Sequence, residues 1–345
     1  MNGLCSRVTP DRFSYRYENG SAYYHEDDRE GLLKICRLVI HTCYEDYTVE
    51  GFNVLCAKQP VIYISSAART GLGQVLCNQL GLPLSCMCRV PCNTMFGSQH
   101  QMDVALLDRL IKDDVECGKL PLLLVANAGT PGAGHTDKLG RLKELCEQYN
   151  MWLHVEGVNL ATLALGYVSS SVLAATKCDS MTLTLGSWLG LPAVPAVTLY
   201  KHEDPSLSLA AGLTSSQPVE KLRALPLWLS LQYLGHDGIV ERIKHASQLF
   251  SCTKSVIGVG DSEVTSVHSF TCALSLQLGE QLAQLVPASG IDVVELEDEG
   301  TCVRFSPLMT SAGNIPQTGI CYKIMAHTVC DLTTSAKTDL YQLYL

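Results

Sequence analysis

The sequence predicts an α/β protein built on a mixed, mostly parallel sheet covered by helices on both faces. Three observations predict it. Short apolar runs alternate with amphipathic stretches of helical period from about residue 28 to residue 200. Several of the apolar runs carry no polar alternation, as strands buried on both faces do. Only 17% of the residues are charged while 47% are hydrophobic, enough to fill a large core.

Taken in order, residues 1–25 are polar and aromatic without clear period and read as an irregular lead-in. A helix is predicted over Asp28–Cys43, with Leu32, Leu33, Cys36, Val39 and Ile40 on one face. Its start is acidic, which suits the positive end of a helix dipole. Pro60–Ser65 is a short apolar strand, and Gly71–Leu80 a helix. Asp103–Cys117 is amphipathic, with Val104, Leu107, Leu110 and Ile111 inward. Leu120–Ala126 is a buried strand that runs into a glycine-rich turn at 129–134. Asp137–Tyr149 is a helix with Leu139, Leu142 and Leu145 inward. Trp152–Glu156, Met181–Thr184 and Val194–Tyr200 are further strands. Beyond Tyr200 the pattern changes. Helices are expected over Val219–Gly235, Gly238–Phe250 and Phe270–Leu285, and a strand pair over Ile291–Leu296 and Thr301–Phe305. The expected division is a lead-in (1–25), a large domain (26–205), a partial small C-terminal domain (206–311) and an irregular tail (312–345).

Composition narrows the function. The net charge of −9 disfavours a polyphosphate partner, so no nucleic acid is expected. Residues 157–176 and 180–200 are free of charge and near membrane-spanning length, but Ser, Thr, Gly and Pro interrupt them. A buried helix followed by buried strands explains them, and no membrane span is expected. Met1–Arg12 lacks the apolar core of a signal peptide, and the 16 scattered cysteines read as reduced thiols, so a cytoplasmic location is expected. Cys86, Cys88 and Cys92 lack the second paired half of a zinc site and read as core or loop thiols. Gly258-Val-Gly260 has neither third glycine nor following helix for a dinucleotide site, and no Gly-x-Ser-x-Gly elbow is present.

Ligands in such sheets sit at the carboxyl ends of the strands. Three segments stand there in order: Ala126-Asn-Ala-Gly129-Thr130-Pro-Gly-Ala-Gly134-His-Thr-Asp137, Trp152-Leu-His154-Val-Glu156-Gly, and Asp179-Ser-Met-Thr-Leu-Thr184-Leu185-Gly186-Ser187-Trp-Leu-Gly190. In spacing and order they resemble the group II pyridoxal phosphate (PLP)-dependent decarboxylases, the glutamate and aromatic amino acid decarboxylase family, whose segments read Ala-Thr-x-Gly-Thr-Thr, Trp-Leu-His-Val-Asp-Ala and Asn-Pro-His-Lys. Within that family the sequence is most similar to the pyridoxal-dependent decarboxylase domain-containing proteins. The resemblance covers about Tyr17 to Pro307. It implies a PLP-transferase-like (fold type I) large domain with an incomplete small α+β domain, PLP as cofactor, an amino acid substrate, carboxy-lyase chemistry of amino or carboxylic acid metabolism, and a homodimer.

The resemblance also implies roles for individual residues. A lysine anchors PLP as a Schiff base, a carboxylate pairs with the pyridine nitrogen, a flat side chain stacks on the ring, and a Ser/Gly-rich helix N-terminus holds the phosphate. Glu156 stands at the carboxylate position, one methylene longer than the family's Asp. Gly129 and Thr130 keep the turn, and His154 keeps its place in the strand. Arg69, in Ser65-Ser-Ala-Ala-Arg69, stands at the stacking position, where an arginine can stack, bind an anion or lie on the surface. The phosphate loop aligns with His25-Glu-Asp-Asp-Arg29-Glu30, whose carboxylates repel a phosphate. Ser187 stands at the lysine position, and serine forms no stable imine. Two readings follow: a carboxy-lyase with weak or no activity, or a pseudoenzyme that serves as a binding or scaffold protein.

Overall fold

The structure is a computed structural model. It describes residues 20–69, 71–93, 100–130, 134–165, 170–186, 194–201, 204–214, 222–257, 270–272, 291–296 and 300–305. The chain divides into two compact units. One is residues 1–131, 135–186 and 192–236, and the other is residues 132–134, 187–191 and 237–345.

The first unit holds a seven-stranded sheet. Its strands are β1 (Gly20–His25), β2 (Pro60–Ser65), β3 (Met87–Val90), β4 (Leu120–Asn127), β5 (Trp152–Glu156), β6 (Ser180–Leu183) and β7 (Ala196–Lys201), in the spatial order β1-β7-β6-β5-β4-β2-β3. β2, β3, β4, β5 and β6 pair in parallel, while β7 runs antiparallel to both β6 and β1. Six strands therefore share one direction, and β7 alone opposes them. The carboxyl ends of β1, β2, β4, β5 and β6 consequently lie along one edge of the sheet.

The continuous apolar runs are the central strands: every residue of β2 is buried, and so is every residue of β4 after Leu120. The helices α1 (Asp28–Cys43), α2 (Leu72–Leu80), α3 (Val104–Glu116) and α4 (Leu139–Gln148) supply the crossovers and cover. α1 buries Leu32, Ile35, Cys36 and Val39, one stripe at helical spacing, in a core it shares with Ile62, Ile64, Leu76, Leu123 and Val125. α3 buries Leu107 and Ile111, and α4 buries Leu139, Leu142 and Leu145.

Four expectations need correction. The end of the lead-in is β1, an edge strand whose residues pair from Gly20↔Lys201 to His25↔Ala196. Its ladder partner lies far along the chain, so local pattern could not reveal it. β3 runs through the cysteine-rich segment and was hidden by its length of four residues. The charge-free stretch 157–176 is not one buried helix. Its described residues form short 3₁₀ and α turns over Val158–Leu165, Ser170–Leu173 and Ala174–Lys177. Phe270–Cys272, expected to open a helix, is a strand, and the rest of that expected helix lies outside the described residues.

A long helix, Leu225–Ile257, breaks at Gly235, whose φ of 61° and ψ of 178° are not helical. That glycine divides the two helices expected there. The second unit contains a three-stranded antiparallel sheet in which Gly300–Phe305 pairs with both Phe270–Cys272 and Ile291–Leu296. The expected tail, 312–345, lies outside the described residues, as do residues 306–311. No helix among the described residues is long and apolar enough to cross a membrane.

Candidate cofactor site

The edge where the parallel strands end carries most of the residues singled out from sequence. β4 ends in Asn127 and runs into Gly129 and Thr130, both buried. β5 ends in Glu156 and turns at once through Gly157. The two turns lock together through backbone: Ala128 N–H donates to Glu156 O at 2.7 Å, Asn159 N–H to Ala128 O at 2.8 Å, and Val158 N–H to Gly129 O at 3.0 Å. Gly157 has φ +143°, and a β-carbon there would collide with the carbonyl of Ala128. Gly129, at φ +104°, also packs too closely on Asn159 and Val158 to admit a β-carbon. Side chains at these positions would push the two strand ends apart. Thr130 Oγ1 accepts from His135 N–H at 3.2 Å, which closes the turn on itself.

Asp137, the last residue of the first segment, is buried and clamps the same edge. Its carboxylate accepts from Asn127 N–H and from Met102 N–H, each at 2.7 Å. Burial raises its pKa to about 6, against the pull of those two hydrogen bonds.

Arg69, four residues beyond the end of β2, reaches across to β5. Its Nε donates to Glu156 Oε1 at 3.2 Å and its Nη2 to Oε2 at 2.8 Å, a two-pronged ion pair. The side chains are 20% and 10% exposed, so the pair is largely withdrawn from water. Of the three roles open to Arg69 from sequence, this geometry is anion binding, and the anion is the protein's own.

His154 sits two residues before Glu156 and is wholly buried. Both ring nitrogens are engaged, Nδ1 with Ser180 Oγ at 2.7 Å and Nε2 with Thr182 Oγ1 at 3.2 Å. Burial, then the neighbouring Arg69 and His25, push its pKa down to about 3, so the ring is neutral. The chain of hydrogen bonds continues from Thr182 Oγ1 to Thr198 Oγ1 at 2.9 Å, then to His25 Nε2 at 2.8 Å, and from His25 Nδ1 to Asp27 O at 2.7 Å. It crosses β5, β6, β7 and β1 and ends at the first turn of α1. Gly31 leaves room for it, because a β-carbon there would strike Thr198 Oγ1 and the His25 ring. Sequence reasoning missed this chain. Its signal is small: Ser180 and Thr182 at alternate positions of an otherwise apolar strand.

At the start of α1, Asp27 caps the helix. Its Oδ1 accepts from Arg29 N–H at 2.9 Å, and Arg29 pairs back to the same carboxylate with Nε and Nη2 at 3.1 Å each. Ser187 lies outside the described residues. Lys201 ends the antiparallel β7 and pairs with Asp179 at 3.0 Å, and Lys177 precedes β6. Both therefore stand at the opposite edge of the sheet. Among the described residues no group of three or more His, Cys, Asp or Glu is arranged to hold a metal.

An α/β sheet with a strand-end carboxylate and the Gly-Thr turn beside it is what the resemblance to the PLP-dependent decarboxylases implies. Solved structures agree. The chain superposes on Catharanthus roseus tryptophan decarboxylase in complex with L-tryptophan with a TM-score of 0.72, at 16% identity over 96% of this chain and 74% of that one. It superposes on Oryza sativa TDC with PLP and tryptamine with a TM-score of 0.71, at 13% identity over 91% and 69%. The pyridoxal-dependent decarboxylase conserved domain matches residues 50–161, and the PDXDC1-like central domain matches residues 251–329. Pyridoxal-dependent decarboxylase domain-containing protein 1 of Xenopus laevis is 75% identical over 86% of this chain, and the match spans 42% of that relative. The putative pyridoxal-dependent decarboxylase domain-containing protein 2 of Homo sapiens is 64% identical over 87% of this chain and 72% of its own length. The chain belongs to the group II decarboxylase family, in the branch of the pyridoxal-dependent decarboxylase domain-containing proteins. It spans less than half the length of the frog, zebrafish and mouse relatives.

PLP is the cofactor of this family. The residues of this chain fit it in part. The strand-end carboxylate and the glycine turn are retained, but Glu156 is already paired with a cation and the N-terminus of α1 with an anion. In the family's own mode of binding, the site does not fit.

Proposed function

We propose that this chain is a PLP-decarboxylase-type protein in which carboxy-lyase activity is weak or lost. The observation that carries this reading is the two-pronged pair between Arg69 and Glu156. The carboxylate that in the family keeps the pyridine ring protonated is spent on a neighbouring guanidinium. Ser187 at the lysine position supports the same conclusion, because a hydroxyl forms no imine. Loss of a positioned proton-transfer group alone lowers a rate by about 10²–10⁴-fold, and loss of the covalent anchor adds to that. Lys177 and Lys201 stand at the wrong edge of the sheet to replace it. PLP, when it binds, is then held weakly and without a covalent bond.

A second reading, a binding or scaffold protein that keeps the fold and pairs as a homodimer in the cytoplasm, is favoured by the acidic run from Glu26 to Glu30 where the family holds a phosphate. The test is to incubate the purified chain with PLP, reduce with borohydride and map adducts by mass spectrometry, while measuring carbon dioxide release from a panel of amino acids. The proposal expects no lysine adduct and no release above that of free PLP. An adduct at one lysine with turnover would overturn it.

A further inference from the structure

We infer that the protein fills its own cofactor cradle charge for charge, Arg69 standing in for the pyridinium on Glu156 and Asp27 for the phosphate on the N-terminus of α1. The inference rests on the reading of the site just given and extends it from lost chemistry to a pocket that is complete without its ligand.

Topology supplies the frame. β1 runs in the same direction as β5, so its end at His25 and the first turn of α1 open on the edge that carries Glu156. A helix N-terminus at such an edge presents backbone N–H groups and a positive dipole end, which suit an anion. Here the Asp27 carboxylate takes that place, accepting from Arg29 N–H at 2.9 Å. Arg29 folds back on it, so the turn already carries both an anion and its counter-charge. At the other end, the flat guanidinium of Arg69 is a delocalised cation. It meets both oxygens of Glu156, as a protonated ring nitrogen would meet one.

A buried hydrogen-bond path also connects the two ends. The hydrogen-bonded chain from His154 through Thr182 and Thr198 to His25 joins the strand that carries Glu156 to the turn that carries Asp27. The His25 ring, where the family has a small loop residue, lies against Gly31 of α1. Each group has a partner inside the chain, so PLP must break existing contacts to enter.

Two substitutions separate the stand-ins from the fold. Asp27→Ser keeps a side chain that caps a helix about as well as Asp and removes the carboxylate. Arg69→His returns the flat residue that the family favours and frees Glu156. The full chain is compared in four forms, wild type, each single variant and the double, by equilibrium dialysis against PLP and against pyridoxal, which lacks the phosphate. Melting temperature is followed with each ligand. The expected result is a wild type whose melting temperature does not move with PLP, and a double variant that binds PLP at least about tenfold more tightly and melts higher in its presence. Asp27→Ser should improve binding of PLP but not of pyridoxal, whereas Arg69→His should improve both. Wild-type affinity for PLP equal to that of the folded double variant would overturn the inference. Should the Arg69 variants fail to fold, Asp27→Ser still decides, since equal gains for PLP and pyridoxal, or none for PLP, would overturn it. Tight non-covalent binding by the wild type without a lysine adduct would defeat this inference alone. An adduct with turnover would instead defeat the reading of lost catalysis.

Discussion

The guanidinium of Arg69 meets both carboxylate oxygens of Glu156 across 87 residues of sequence, joining the loop after β2 to the last residue of β5. With both side chains largely buried, the pair holds the strand edge as well as the charge balance. Removing one partner strands the other in a poorly solvated place, which is more costly than the pair is worth. Arg69→Ala should therefore destabilise the chain by about 2–4 kcal/mol, and the double change with Glu156→Gln should recover part of that. Urea unfolding of the three variants measures the coupling, and additive losses would show that the pair contributes nothing.

Gly157 is the second sensitive point. The family carries alanine there, yet here φ is +143° and a β-carbon would meet the carbonyl of Ala128. Gly157→Ala should cost about 2–4 kcal/mol, from backbone strain and forced separation of the two turns. A midpoint of denaturation close to that of the wild type would mean the turn relaxes freely.

Thr182 links two neighbours of the buried polar chain. Thr182→Val keeps shape and leaves His154 Nε2 and Thr198 Oγ1 each short of one partner. The expected loss is about 1–3 kcal/mol, far more than a valine for threonine exchange on the surface. Thermal melts of the variant check it.

Stability should also depend on pH in a particular direction. Folded His154 has a pKa near 3 and folded His135 near 4, both below the ordinary histidine value. Their unfolded forms take up protons that the folded forms refuse. Their contribution is full above the unfolded value of about 6.5 and is lost as pH falls toward the folded values. Asp137, raised to about 6, works the other way, since its burial is easiest when protonated and becomes costlier as pH rises from about 4 to 6. With three histidines shifted down, His41 included, against one aspartate shifted up, net stability should fall between pH 6.5 and 4.5. His154→Asn should flatten that slope, although it lowers stability at pH 7. A slope unchanged by His154→Asn would remove this histidine from the account.

Much of the fold was legible because the central strands and the helices around them carry their periods locally. Trp152–Glu156 and Pro60–Ser65 are bounded by turn residues and buried throughout apart from Trp152, which is partly buried. β1 was not legible, since Gly20–His25 becomes a strand only by pairing with Ala196–Lys201. The site divides in the same way. Glu156, Gly129 and Thr130 could be picked out from the ordered segments, and Arg69 from the stretch that follows Ser65. That Arg69 would turn to Glu156 depends on a distance no spacing encodes. The path from His154 to His25 joins side chains on four strands, and only the sheet order brings them together.

The central claim is that several contacts to one cofactor have changed together, so that the missing lysine is not the only obstacle. Titration of PLP into Ser187→Lys, followed by visible absorbance and compared with wild type, tests it most directly. The account predicts no Schiff-base band in the wild type, and none in Ser187→Lys until Arg69→His and Asp27→Ser are added. A full, borohydride-sensitive band in Ser187→Lys alone would contradict it, because the pocket would then be intact around a single lost anchor.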